Sequence, residues 1–230
     1  MAEREQWGSR IGLILAMAGN AVGLGNFLRF PVQAAQNGGG AFLIPYFTAL
    51  ILISIPLMWI EWAIGRNGGK YNHGSLPGMF DVLWKNPLAK YLGVIGLFGS
   101  TIILIYYSYI VSWTLGFSFF SLFKTYFGLT TFDGMGSFLG SYQGTRTGYF
   151  SSTWTCYIFL LITFALNFWI MKRGISKGIE KLAKIALPAL FVFALILAIR
   201  VSTLGTPDPV NNPDWSVAKG FAFLWNPNFS

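Results

Sequence analysis

The sequence predicts an all-α integral membrane protein of five transmembrane helices, the first of them broken mid-membrane. Three observations carry that expectation. The composition is 54% hydrophobic and only 10% charged, with mean hydropathy +0.55, too apolar for an ordinary soluble domain. Apolar stretches that reach or approach the ~20 residues a membrane helix needs recur along the chain. The first stretch contains Gly19-Asn20-Ala21-Val22-Gly23-Leu24-Gly25-Asn26. Glycine there costs a helix interior roughly 1 kcal/mol relative to alanine, and lipid cannot satisfy the backbone groups that a break releases.

Taken in order, residues 1–10 form a cytoplasmic segment charged with both signs, and no small-residue cleavage site marks it as a signal peptide. Residues 11–201 hold the five-helix repeat, with spans at 11–35, 41–65, 88–123, 154–171 and 178–201. The turn Gln36-Asn37-Gly38-Gly39-Gly40 hands the first span to the second, where Pro45 and Pro56 are expected to bend the helix. The third stretch is much longer than a crossing requires, so it should tilt or protrude. Residues 66–87 and 124–153 read as loops, the fifth span starts basic and amphipathic, and 202–230 reads as an extracellular loop segment.

Lys and Arg placement sets the orientation. Arg4, Arg10, Arg66, Lys70, Lys85, Lys90, Lys172, Arg173, Lys177, Lys181 and Lys184 fall on one side, against Lys124, Arg146, Arg200 and Lys219 on the other. The positive-inside rule puts the N-terminus in the cytoplasm of a multi-pass protein of the plasma or bacterial inner membrane. The net charge of +8 is explained by these span ends rather than by nucleic acid, for which there is no signal. The single cysteine, Cys156, excludes an internal disulfide framework. His73 stands alone, and no nucleophile-base pair or metal cluster points to an enzyme.

The broken span carries the chemistry. Gly19 and Gly23 alone fit the G-x-x-x-G pattern of close helix packing. Asn20, Gly25, Asn26 and Arg29 crowd the same few turns, which a packing face does not need. The carbonyls of Gly19, Ala21 and Val22 and the side-chain oxygen of Asn26 are ligands suited to a hard monovalent cation. The amides of Leu24 and Gly25, opening the outer half-helix, suit a carboxylate. A Gly-interrupted span of this kind points to a transporter binding site. Five spans without a second copy of the broken pattern make the first half of an inverted-repeat transporter fold.

Gly19 to Pro31, followed by Asn37-Gly38-Gly39-Gly40-Ala41-Phe42, resembles the first-helix signature of the neurotransmitter:sodium symporter family, most of all its bacterial amino-acid members such as the leucine transporter. Trp59-Ile60-Glu61-Trp62, Ile105-Tyr106-Tyr107, Ser112 to Gly116 and Arg173 to Gly178 extend the likeness over essentially the whole chain. The resemblance implies a first sodium site at Ala21 and Asn26, shared with the substrate carboxylate, and a second at Gly19 and Val22. It implies substrate contacts from Asn20, Ala21, Leu24, Gly25 and Tyr107, with Ile103 shaping the side-chain pocket one turn away. Gly23 stands where monoamine carriers have an aspartate, which implies a substrate with its own carboxylate, a neutral amino acid. Arg29 matches an outer gate and Arg4 with Trp7 an inner one, although snorkelling and interfacial anchoring explain such residues equally well. Gly178 and Pro188 resemble a Gly-x9-Pro unwinding point, against which stands a simple proline bend.

Glu61 reads as the only carboxyl inside a span, either hydrogen-bonded near the broken helix or lying at an inner helix end. Tyr46 matches one residue of a chloride site whose other members are missing, so chloride dependence stays open. Where the family pattern has Glu before Ser112-Trp113, this chain has Val111. The helices that complete both sodium sites and the substrate pocket belong to the family's second half. The expected function is therefore sodium-coupled symport of a neutral amino acid, with this chain as the N-terminal half. The alternative is a truncated or split product that acts only as an assembly partner.

Overall fold

The structure, a computed structural model, describes residues 7–206, 210 and 212–227. The described residues are helical, without strands. Four helices are long and apolar enough to cross a membrane, and a fifth span is made by a bent helix pair at the N-terminal end. The chain divides into two compact units, residues 1–66 with 173–230 and residues 67–172.

In the first unit, α1 (Arg10–Ala21) begins at Ser9, whose hydroxyl accepts the Gly12 amide at 3.0 Å, an N-cap that satisfies one of the orphan donors of a helix start. After the break comes a π-turn, Gly25–Arg29, and then α2 (Phe30–Gln36), this second half lying 43° from α1. Pro31 sits in the first turn of α2. The second span is α3 (Gly40–Ala49), a π-turn at Leu50–Ser54 and α4 (Ile55–Lys70). The departure from α geometry thus lies between the two prolines. Pro56 has no N–H for the carbonyl of Leu52, and its ring crowds that carbonyl, so a wider turn just before it makes room.

Phe30 of α2 meets Tyr46 of α3 edge-on, with ring centroids 4.9 Å apart. Between these helices the chain turns through Gly38 and Gly39 at φ 78° and 56°, conformations that side chains disfavour. A second requirement falls on the same turn. Residues 202–230 contain a helix, α10 (Val217–Trp225), capped by Ser216. A Cβ on Gly39 would overlap the Phe223 carbonyl and ring, and one on Gly40 would lie 2.8 Å from the Leu224 carbonyl. The fifth span opens after Gly174 (φ 75°) with a π-turn, Ile175–Glu180, and continues as α9 (Lys181–Ser202) through Pro188. α1 packs along that turn and α9.

The second unit holds α5 (Leu76–Leu83), α6 (Ala89–Leu122), α7 (Phe132–Tyr142) and α8 (Trp154–Lys172). α5 beds on the start of α6 where Gly93 leaves room, since a Cβ there would stand 2.6 Å from Pro77 Cα. Two stretches expected to be loops therefore contain helices. Thr131 caps α7 by accepting the Gly134 amide at 3.1 Å, and the helix is held by a cluster of Phe120, Phe138, Tyr142, Cys156 and Phe159. Its Gly- and Ser-rich sequence has little helix propensity of its own, so tertiary burial of Phe138 and Tyr142 decides the outcome.

Among the described residues the buried Tyr142 hydroxyl has no partner of good hydrogen-bond geometry, only the weakly polar Cys156 thiol beside it. Burial, aided by the neighbouring Cys156 thiol, pushes this phenol well above its ordinary pKa. Removing an unpaired buried hydroxyl is close to neutral, whereas truncating a buried Phe costs about 3–5 kcal/mol. Tyr142→Phe is therefore expected to leave the melting temperature of the detergent-purified protein unchanged or raised, and Phe138→Ala to lower it by several degrees. Equal losses for the two variants would mean that the hydroxyl has a partner.

Candidate functional site

α1 closes at Ala21, and Val22 turns into an extended conformation (φ −92°, ψ 91°) while its amide still donates to the Ala18 carbonyl at 2.9 Å. Two amides beyond it leave the helical ladder. The Gly23 amide, which an unbroken helix would direct at the Gly19 carbonyl, donates to Asn26 Oδ1 at 3.2 Å. The Asn26 amide, which would meet the Val22 carbonyl, donates to the Gly23 carbonyl at 3.1 Å. Both replacements release a carbonyl, that of Gly19 and that of Val22, from its usual intrahelical donor.

Two glycines at the break have room for a side chain. A Cβ built on Gly19 or on Gly25 would meet nothing within 4 Å, so neither glycine is held against a neighbouring element among the described residues. This removes Gly19 from the helix-packing explanation of its G-x-x-x-G spacing. Asn20, Ala21, Gly25 and Asn26 are exposed, and Val22, Gly23 and Leu24 are half-buried. Asn26 caps the break with one lone pair of its side-chain oxygen and keeps another for a second partner. The second half-helix starts at Leu24 and Gly25, so its positive end lies at the break.

The other expected residues are distributed as follows. Arg29 ends the π-turn, exposed and without an ion pair among the described residues. Trp7 is half-buried at the entry to α1, and Arg4 lies outside the described residues. Ile103 and Tyr107 lie one turn apart on α6 in the second unit, Ile103 exposed and Tyr107 half-buried, with Tyr107 edge-on to Tyr106. Gly178 is buried inside the π-turn that opens the fifth span, while Pro188 sits in continuous helix ten residues on. Tyr46 belongs to the aromatic contact between α2 and α3.

One reading is corrected. Glu61 is exposed on α4, and it is not the only carboxyl inside a span, because Glu180 lies in the opening turn of the fifth. Glu180 is 2% exposed; its Oε1 accepts from Ser9 Oγ at 2.8 Å and from Lys184 Nζ at 2.7 Å, and its Oε2 accepts from the Gly8 amide at 2.7 Å. In sequence it is hidden among Lys177, Lys181 and Lys184, which read as one basic, amphipathic start. The signal available was its i, i+4 spacing to Lys184 together with Ser9 three residues before a glycine at a helix start.

A multi-pass helical membrane protein whose first helix is interrupted at mid-span, with carbonyls released from the ladder just before the N-terminus of a second half-helix, has the construction of a secondary transporter. The comparisons make that specific. The model of the sodium:neurotransmitter symporter family matches residues 4–131, and the chain belongs to this family, whose members are transporters and not enzymes. Over 98% of its length the chain is 34% identical to an uncharacterized sodium-dependent transporter of Methanocaldococcus jannaschii, covering 44% of that protein. It is 42% identical over 118 residues to the sodium-dependent neutral amino acid transporter B(0)AT3 of Mus musculus, covering 50% of this chain and 18% of the relative. Against the sodium- and chloride-dependent glycine transporter 2 of Xenopus laevis the identity is 40% over 119 residues, 52% of this chain and 14% of the relative. The chain spans about half the length, or less, of the relatives it matches.

The cap at the break is directly testable. Asn26→Ala leaves the Gly23 amide without its acceptor and is expected to lower stability by about 1 kcal/mol, the usual cost of a lost cap. Asn26→Asp keeps an acceptor and should be better tolerated. Thermal unfolding of both variants in the absence of sodium makes the comparison, and equal stability of Asn26→Ala and the parent would show that the side chain does not hold the break.

Proposed function

We propose that this chain is the N-terminal half of a sodium-coupled symporter of a neutral amino acid, working by alternating access in the cell membrane with its N-terminus in the cytoplasm. The observation that carries the reading is the loss of the usual intrahelical donors of the Gly19 and Val22 carbonyls at the break, just before the N-terminal end of the second half-helix. Carbonyl oxygens at such a break suit a hard monovalent cation, and the Leu24 and Gly25 amides suit a carboxylate. On this reading Gly19 and Val22 contribute to a second sodium site, and Ala21 and Asn26 to a first one that the substrate carboxylate completes. Asn20, Ala21, Leu24, Gly25, Ile103 and Tyr107 are the substrate residues. Gly23 leaves the pocket without an acidic side chain, which favours a substrate that carries its own carboxylate. The neutral amino acid and glycine carriers among the relatives support the same class.

Arg29 and, with Arg4, Trp7 are the gate residues of this proposal. The remaining ligands come from a second half of the transporter. Spans one and two belong to one compact unit and spans three and four to the other, a partition that supports rocking of a bundle against a scaffold. The π-turn at Gly178 supports unwinding of the fifth helix there, with Pro188 weakening the turn that follows.

Two measurements test the reading on the full-length protein. Binding of a radiolabelled neutral amino acid is expected in sodium buffer and not in potassium buffer, and Asn26→Ala or Gly25→Val should abolish it. Within this half the space at Gly25 is open to a side chain, and thermal unfolding of Gly25→Val in the absence of sodium separates a loss of binding from a loss of fold. Equal binding in potassium overturns sodium coupling. In vesicles, Pro188→Ala is expected to slow inward sodium release, and unchanged turnover would remove Pro188 from the cycle.

A further inference from the structure

We infer that Glu180 is a positioning residue that latches the inner half of the broken helix to the π-turn of the fifth span, so that loosening of that turn and release of α1 are one event. The inference rests on the symport reading. It is argued from a cluster that neither the sodium sites nor the substrate pocket uses.

Glu180 is buried across the start of α1. One carboxylate oxygen holds the Gly8 amide at 2.7 Å, and the other holds Ser9 Oγ at 2.8 Å. The Ser9 hydroxyl acts twice, donating to Glu180 and accepting the Gly12 amide at 3.0 Å, so the cap of α1 and its attachment to the fifth span are the same group. Gly12 makes the fit possible, because a Cβ there would overlap Glu180 Cγ, Cδ and Oε1. The carboxylate also lies at the positive end of the α1 dipole, while Lys184, partly exposed, supplies the counter-charge from within the fifth helix.

The form of the contact suits a latch better than a permanent joint. Its bonds are charge-assisted and directional, so they fix one geometry. Once released, both partners are readily hydrated, unlike a separated apolar interface, and a buried ion pair sits near energetic balance between protein and water. Glu180 closes the π-turn that contains Gly178. A turn already departing from α geometry is where the fifth helix yields with least loss, and any rotation of it carries the carboxylate away from Gly8 and Ser9.

The test uses the full-length transporter in a Cys156→Ala background. A Cβ on Gly8 would lie 2.8 Å from Ser176 Oγ, within reach for a disulfide once both positions are cysteine. In the Gly8→Cys/Ser176→Cys protein, oxidation is expected to cross-link the pair in sodium and to lower uptake by at least about tenfold, with recovery on reduction. Full uptake by the cross-linked protein, or failure to cross-link, overturns the latch. Adding Glu180→Gln, which keeps the shape and removes the charge, is expected to slow cross-linking by about tenfold. Cross-linking at the parent rate would show that the carboxylate does not hold the contact. Gly12→Ala displaces the carboxylate without changing it and should slow cross-linking likewise. Cross-linking rates need no transport, so absence of sodium-dependent uptake in the reduced, unsubstituted protein would refute the symport reading separately.

Discussion

The fold is governed by the requirement that every backbone amide and carbonyl inside hydrocarbon find a partner. Five spans meet it by being helical, and the first meets it only in part. Between Val22 and Leu24 the ladder stops, and a single side chain, Asn26, takes over one amide. The Gly19 and Val22 carbonyls lose their usual intrahelical donors. A membrane protein tolerates such a defect only where protein, water or a ligand lies next to it, and the open surface at Gly19 and Gly25 provides the room.

The three π-turns among the described residues each fall at a local constraint: Gly25–Arg29 just after the break, Leu50–Ser54 just before Ile55 and Pro56, and Ile175–Glu180 against the start of α1. An inserted residue costs some hydrogen-bond quality, and in exchange the helix re-aims without ending. The carbonyls released at the first of these sites and the carboxylate held at the third belong to the same compact unit.

The spans and the break are legible in sequence because their signals are dense. Runs of apolar residues give the helices, and three glycines with two asparagines in eight positions give the interruption. The short helices are not legible. α5, α7 and α10 lie in stretches rich in Gly, Ser, Asn and Pro and depend on partners distant in sequence, as Phe138 depends on Phe120 and Phe159. The π-turn at Leu50–Ser54 has no compositional mark, being Leu-Ile-Leu-Ile-Ser. Glu180 escapes for a different reason, since its neighbours in sequence are lysines and its partners, Gly8 and Ser9, are more than 170 residues away. Hydropathy pattern reports what faces lipid, and it is silent about a carboxylate tucked against another helix.

The triglycine turn gives the first span two unlike ends. At Gly39 and Gly40 the chain lies close against the Phe223 and Leu224 carbonyls and the Phe223 ring of α10, where a Cβ would overlap. At Gly8 and Ser9 the hold is a carboxylate. One end is pinned by steric exclusion and the other tethered by a carboxylate, so the two halves of the interrupted span are held by contacts of different kinds.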